Sequence, residues 1–209
     1  FFDIDNDGDL DAFIGYQEWQ SYSATAFYRN IGTVNNPLFY FDNVKQFGLR
    51  EDMIVADLGA GSGFYSIPAG RIVSRGKVYA IEVQKDFIPT IQSKAKDARV
   101  NNIECLWGDI EKVGGTKIRD RIVDAVIASD VLFQVENREK FIEEIKRILK
   151  PGGKVMLIDW SDAFSGMGPN SKMLIPKNTA KSLFESKGFK VDRDINAGSH
   201  HYGMILEKS

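Results

Sequence analysis

Three observations predict an α/β fold built on a mostly parallel sheet. Met53-Ile54-Val55-Ala56-Asp57-Leu58-Gly59-Ala60-Gly61-Ser62-Gly63-Phe64-Tyr65 reads as a buried strand, a glycine-rich turn and the opening of a helix. Downstream, short Val- and Ile-rich runs alternate with segments of helical apolar spacing, as strand–helix–strand units require. Several runs end in an acid, at Asp57, Glu82, Asp130 and Asp159, which lines carboxylates along the edge where such sheets hold ligands. The expected organisation is a short β appendage over residues 1–42 and a main domain over 43–209.

In the appendage, Asp3-Ile4-Asp5-Asn6-Asp7-Gly8-Asp9-Leu10-Asp11 places side-chain oxygens at alternate positions and then turns at a glycine, as a loop around a hard cation does. An EF-hand needs glutamate at its twelfth loop position; counted from Asp3 that position is Ile14, so an EF-hand is rejected. The form Asp3-x-Asp5-x-Asp7-Gly8-x-x-Asp11 resembles the calcium loops of FG-GAP (integrin-like propeller) repeats. The resemblance continues through Phe13-Ile14-Gly15, Tyr28-Arg29-Asn30-Ile31-Gly32-Thr33 and Asn35-Asn36-Pro37-Leu38-Phe39. It implies calcium held by the side chains of Asp3, Asp5, Asp7 and Asp11 and the carbonyl of Asp9. A propeller needs about four to eight blades, and one copy implies a relic or a piece packed on the main domain. The alternative is a solvated acidic turn without metal.

After a polar join at Lys45 to Asp52, the glycine loop opens the main domain. Glycine tolerates positive φ and lacks a Cβ, so a ligand can lie on such a backbone. The spacing Gly59-x-Gly61-x-Gly63 departs from the G-x-G-x-x-G of dinucleotide folds, and Asp57 beside it disfavours a pyrophosphate while favouring an ammonium group. Asp57 to Gly63 resembles motif I of the class I S-adenosylmethionine-dependent methyltransferases. That likeness implies that Asp57, Gly59, Ala60, Gly61 and Gly63 underlie the methionine part of the cofactor.

A helix over about Phe64 to Val73 leads to a strand at Gly76 to Val83. Glu82 lies about 20 residues beyond the glycines, where a ribose-binding carboxylate is expected, with Val83 beside it. The alternative is a strand-end acid paired with Lys85. A helix over Lys85 to Val100 is followed by a strand and turn at Ile103 to Ile110. By resemblance, Asp109 accepts the exocyclic amine of adenine and Ile110 lies against the ring; otherwise this is an ordinary Gly-Asp turn. Val123 to Asp130 forms a fourth strand, and Asn137 caps a helix with Phe141, Ile142, Ile145, Ile148 and Leu149 on one face. Pro151-Gly152-Gly153 closes that helix before a strand at Lys154 to Trp160. A connection over Ser161 to Lys177, a helix over about Asn178 to Lys187 and a hairpin of Phe189–Asn196 with Tyr202–Glu207 complete the domain. Five strands plus this hairpin match the Rossmann-like, seven-stranded methyltransferase sheet, mostly parallel with an antiparallel last strand. The resemblance covers roughly residues 47–208 and is nearest to the ubiquinone/menaquinone biosynthesis C-methyltransferases.

The expected chemistry is in-line methyl transfer from S-adenosylmethionine to a small-molecule acceptor, with the protein supplying orientation and desolvation. Asp130 and Phe133 follow the fourth strand, where the family contacts the cofactor and the methyl acceptor; Ser129 at that strand's end is expected at the cofactor, and Asp159 at the acceptor, with Trp160 as an apolar wall. His200 and His201, the two histidines, are the candidate bases, against the alternative of solvated hairpin residues. The family also carries N-terminal helices that close over the site. Here the propeller-like segment occupies that region, so the lid is expected to be absent.

Composition narrows the classes. Formal charge of −2 with interspersed signs leaves no footprint for nucleic acid. The lone cysteine, Cys105, excludes an internal disulfide and a cysteine-based zinc site and suits a cytoplasmic setting. No apolar run reaches the roughly 20 residues of a membrane span. The chain begins at Phe1 without a signal-peptide pattern, as a fragment or processed chain would. Two rival readings stand beside the methyltransferase: a nicotinamide-dependent oxidoreductase, which preferential NADH binding would reveal, and a non-catalytic calcium-binding or adhesion module, which calcium-dependent stability would reveal.

Overall fold

The computed structural model describes residues 12–13, 27–28, 38–163 and 169–209. Asp3, Asp5, Asp7, Asp9 and Asp11, the expected calcium ligands, lie outside the described residues. Strands β1 (Ala12–Phe13) and β2 (Phe27–Tyr28) pair antiparallel.

Helix α1 (Leu38–Phe47) follows. Leu38 and Phe39 therefore open a helix where the sequence suggested the end of a propeller repeat, and this helix crosses the boundary expected between residues 42 and 43. Aromatic residues favour helix only weakly. Burial decides the matter: Tyr40, Val44 and Phe47 recur at helical spacing and all pack into the core. Gly48, at φ +78°, ends the helix, and its N–H bonds the Lys45 carbonyl at 3.1 Å.

The main domain then runs β3 (Ile54–Leu58), α2 (Ser66–Ile72), β4 (Lys77–Glu82), α3 (Phe87–Asp97), β5 (Ile103–Trp107), β6 (Val123–Ser129), α4 (Arg138–Ile148), β7 (Leu149–Trp160), α5 (Lys177–Ser186), β8 (Phe189–Ile195) and β9 (His201–Lys208). Its seven strands lie in the order β5-β4-β3-β6-β7-β9-β8. The pairs from β5 to β7 are parallel, while β9 runs antiparallel to both β7 and β8. The sheet is the one the sequence implied. Strand order reverses between β3 and β6, which opens a crevice at their carboxyl ends.

Period-2 alternation sends strand residues to two cores. On β6, Val126 and Ala128 join Phe141, Ile142 and Ile145 of α4 and Phe184 of α5. Ala125 and Ile127 face the other way, with Tyr40 and Val44 of α1 and Ala69 of α2. One boundary moves: α4 stops at Ile148, and Leu149 is already extended and paired with Val123. Pro151-Gly152-Gly153 thus lie within β7, where a register shift absorbs the turn before Ala125 pairs with Lys154. Asn137 caps α4 as expected, its side chain accepting the Lys140 N–H at 3.1 Å. Asn137→Ala lowers stability by about 1 kcal/mol in urea melts.

Candidate active site

The glycine loop links β3 to α2 at the crevice. Gly59 sits at φ +74°, and a Cβ there would meet Val131 Cγ2 at 2.7 Å, so side chain and backbone conformation are both forbidden to other residues. Gly61, at φ +52°, has open space where its Cβ would project. The loop amides are already used. Gly59 and Ala60 both donate to the Ile81 carbonyl at 3.0 Å, Gly63 donates to Ala60, and Gly61 donates to Glu82 Oε2 at 2.8 Å. The other Glu82 oxygen accepts the Gln84 N–H at 2.9 Å. Asp57 is buried beneath the loop with Ser66 Oγ donating to it. Burial raises its carboxyl to about 7; Glu82 adds repulsion, and the Ser66 bond opposes both.

Beyond β4, Val83 is 58% exposed and its carbonyl accepts the Trp107 indole N–H at 2.9 Å. Asp109 follows β5 and pairs with Lys112 at 2.9 Å, which holds its carboxyl below the usual range. Ile110 is partly buried against the core. The loop bearing both is tied to α4 by fully buried Glu144, which accepts the N–H groups of Gly114 and Thr116 and also pairs with Arg147.

Across the crevice, Ser129 ends β6 and its hydroxyl donates to Asp130 Oδ2 at 3.1 Å. Asp130 holds the left-handed region at φ +56°, its N–H bonded to the Ile158 carbonyl. Such backbone in a non-glycine residue clusters at functional sites. Phe133 is buried, and its N–H bonds Asp159 Oδ2 at 3.0 Å, while the Trp160 N–H bonds Asp159 Oδ1 at 2.8 Å. Burial raises Asp159 to about 7, and the charge of Asp130 adds to that. The structure separates the two histidines. His201 pairs across strands with Trp160, its ring 4.2 Å from the indole and its Nε2 3.1 Å from Asp130 Oδ1. His200 is turned to Asp162 at 3.0 Å on the exposed side.

Sequence reasoning missed Asn43, Tyr65 and Tyr202. Asn43 of α1 donates to the Tyr65 hydroxyl at 3.0 Å, and Tyr40 stacks on Phe64 at 5.0 Å. A helix therefore does lie against the residues following the loop. Tyr202 is buried beside Asp159 and Asp130, its hydroxyl without a hydrogen-bond partner among the described residues. Tyr65 was legible as the residue just after the loop; the other two lie far away in sequence.

The family described as "Methyltransferase domain" matches residues 56–157, from β3 through most of β7. This likeness points to an S-adenosylmethionine-dependent methyltransferase domain. A SAM-dependent methyltransferase from Aquifex aeolicus superposes with a TM-score of 0.74 at 29% identity, over 84% of this chain and 95% of that one. Among curated proteins, the demethylmenaquinone methyltransferase of Oceanobacillus iheyensis is 26% identical over 57% of this chain and 50% of its own length. The ubiquinone/menaquinone biosynthesis C-methyltransferase UbiE of Haemophilus ducreyi is 28% identical over 54% and 44%. The chain thus spans about half the length of the curated relatives it matches. The matched residues exclude the N-terminal segment, and its propeller-repeat resemblance gains no support. Among the described residues no acid or histidine cluster suits a metal, and no helix is long and apolar enough to cross a membrane.

The methyltransferase site fits its cofactor on two counts. Open space over Gly61 provides a cradle, and the donor set of buried acids suits cationic groups and hydroxyls. The raised acid also sets a pH dependence. A carboxyl with a folded pKa above its unfolded value stabilises the fold below about pH 4, and that contribution is lost as pH rises through 7. Asp57→Asn accordingly stabilises the ligand-free protein at pH 8 by on the order of 2 kcal/mol and leaves it unchanged at pH 4. Denaturant melts at the two pH values check this.

Proposed function

We propose that this domain transfers a methyl group from S-adenosylmethionine to a small, ring-bearing acceptor. The observation that supports this best is the state of the glycine loop. Its amides at Gly59, Ala60, Gly61 and Gly63 all donate within the protein, which takes four donors away from a pyrophosphate, and Glu82 sits beside it as an acceptor.

When bound, the cofactor supplies an electrophilic methyl group on a sulfonium. The chain's own residues bind and orient. Two carboxylate lone-pair directions of Glu82 remain for ribose hydroxyls, since two are taken by Gly61 and Gln84. Val83, Asp109 and Ile110 flank the base, and Asp57 with the glycine backbone meets the methionine end. Ser129 and Asp130 border the reacting centre. Phe133 and Trp160 offer an apolar wall, which suits a flat ring such as the quinones in the names of the curated relatives.

Calorimetric titration with S-adenosylhomocysteine tests the reading, with NADH as rival ligand and a repeat under calcium chelation. Micromolar binding with NADH silent supports it. Preferential NADH binding, or no nucleoside binding under either condition, defeats it.

A further inference from the structure

Lys94 lies on α3, one turn beyond Ile91, and has no part in the chemistry above. Both side chains point at the glycine loop. Ile91 Cγ2 lies 3.3 Å from where a Cβ of Gly63 would project, so α3 packs directly against that glycine. Lys94 Nζ donates to Ser62 Oγ at 3.1 Å and sits 4.1 Å from the centre of the Phe64 ring. It therefore touches both neighbours of Gly63. The same Phe64 ring is stacked by Tyr40 of α1 at 5.0 Å.

The choice of lysine at this position needs a reason. The side chain is half-buried, and among the described residues no carboxylate pairs with it. Burial lowers its pKa, and no neighbouring charge opposes that. Methionine has a similar unbranched stem and would fill the space without burying a charge.

We infer that Lys94 is a positioning residue for the cofactor: it fixes Ser62 and Phe64, so that the backbone between them keeps the conformation on which the ligand lies. This rests on the methyltransferase reading above. Glycine loses more backbone freedom on ordering than any other residue, and Gly59, Gly61 and Gly63 must all be held at positive φ. In the ligand-free protein, loss of the Lys94 tether is offset by removal of a half-buried charge and by the freedom the loop regains. On binding, that freedom is surrendered, so the cost falls on affinity. A residue that merely props the fold would instead lose stability and affinity together.

The experiment pairs calorimetry with S-adenosylhomocysteine and urea melts of the ligand-free protein. It compares wild type, Lys94→Met, Lys94→Arg, Phe64→Leu and the double variant Lys94→Met/Phe64→Leu. Lys94→Met is expected to weaken binding about tenfold, while its urea midpoint stays at or above that of wild type. Lys94→Arg keeps a cation over the ring and a donor toward Ser62, and binds within about threefold of wild type. Because Lys94 acts partly through Phe64, the double variant loses less than the product of the two single losses. Wild-type affinity in Lys94→Met overturns the inference. A fall in urea midpoint alongside the lost affinity also overturns it, as do Lys94→Arg binding as weakly as Lys94→Met and fully multiplicative losses. Absence of S-adenosylhomocysteine binding in wild type instead defeats the underlying methyltransferase reading.

Discussion

Glu82→Ala weakens S-adenosylhomocysteine binding by about two to three powers of ten, the largest functional loss expected of any single change here. A hydrogen bond to a charged group contributes about 1.5–3 kcal/mol, and in the proposed reading two ribose hydroxyls share this carboxylate. The same oxygens hold the Gly61 and Gln84 amides, so truncation also releases the loop that cradles the ligand. Glu82→Gln is milder because one carbonyl oxygen survives, but its amide group opposes an N–H where an acceptor stood. Calorimetry on folded variants, verified by circular dichroism, decides the matter. An alanine variant binding within about threefold of wild type removes Glu82 from the ribose role.

Glu144→Ala carries the largest expected cost in stability, about 3–5 kcal/mol in urea melts. The side chain is fully buried and has no role in chemistry. One of its oxygens accepts the Gly114 N–H at 2.7 Å, and the other accepts the Thr116 N–H at 3.1 Å and the Thr116 hydroxyl. Arg147 closes the group from the same helix at 2.7 Å and reaches Asp120 as well. Burial alone would raise this carboxyl, but Arg147, Thr116 and the two amides outweigh it and hold it below the usual range. Alanine strands two amides and one hydroxyl inside the protein. The loop so released contains Gly115, whose carbonyl accepts the Asp109 N–H at 3.1 Å, so cofactor affinity falls together with stability. A loss below about 1 kcal/mol means the loop is held by other contacts.

Where the chain encodes structure locally, the sequence was enough. The Val- and Ile-rich runs, the helical spacing of Phe141, Ile142, Ile145 and Ile148, and the cap at Asn137 all rest on periodicities within one element. The distance from Gly61 to Glu82 is similarly local, one strand–helix–strand unit, and the two meet through a single hydrogen bond. Leu38 and Phe39 were read as the end of a propeller repeat, and Lys45 to Phe47 as part of a join, because local composition does not favour a helix there and only burial on the sheet selects it. Leu149 likewise left its helix because pairing with Val123 claimed it.

Sequence by itself thus determined the elements after Gly48, their order and the acids at the strand ends. Tertiary structure alone decided which side chains meet. His200 and His201 are neighbours in the chain and indistinguishable by composition. The antiparallel register of β9 on β7 places His201 opposite Trp160 and within reach of Asp130, while His200 turns outward to Asp162. His201 opens β9 while His200 lies in the turn before it, and which side the His201 ring faces depends on a register fixed by the packing of the whole sheet. Asn43 and Tyr65, 22 residues apart, meet because α1 packs on the face of the sheet that carries α2, and Asp130 and His201, farther still, come within reach because β7 lies between β6 and β9.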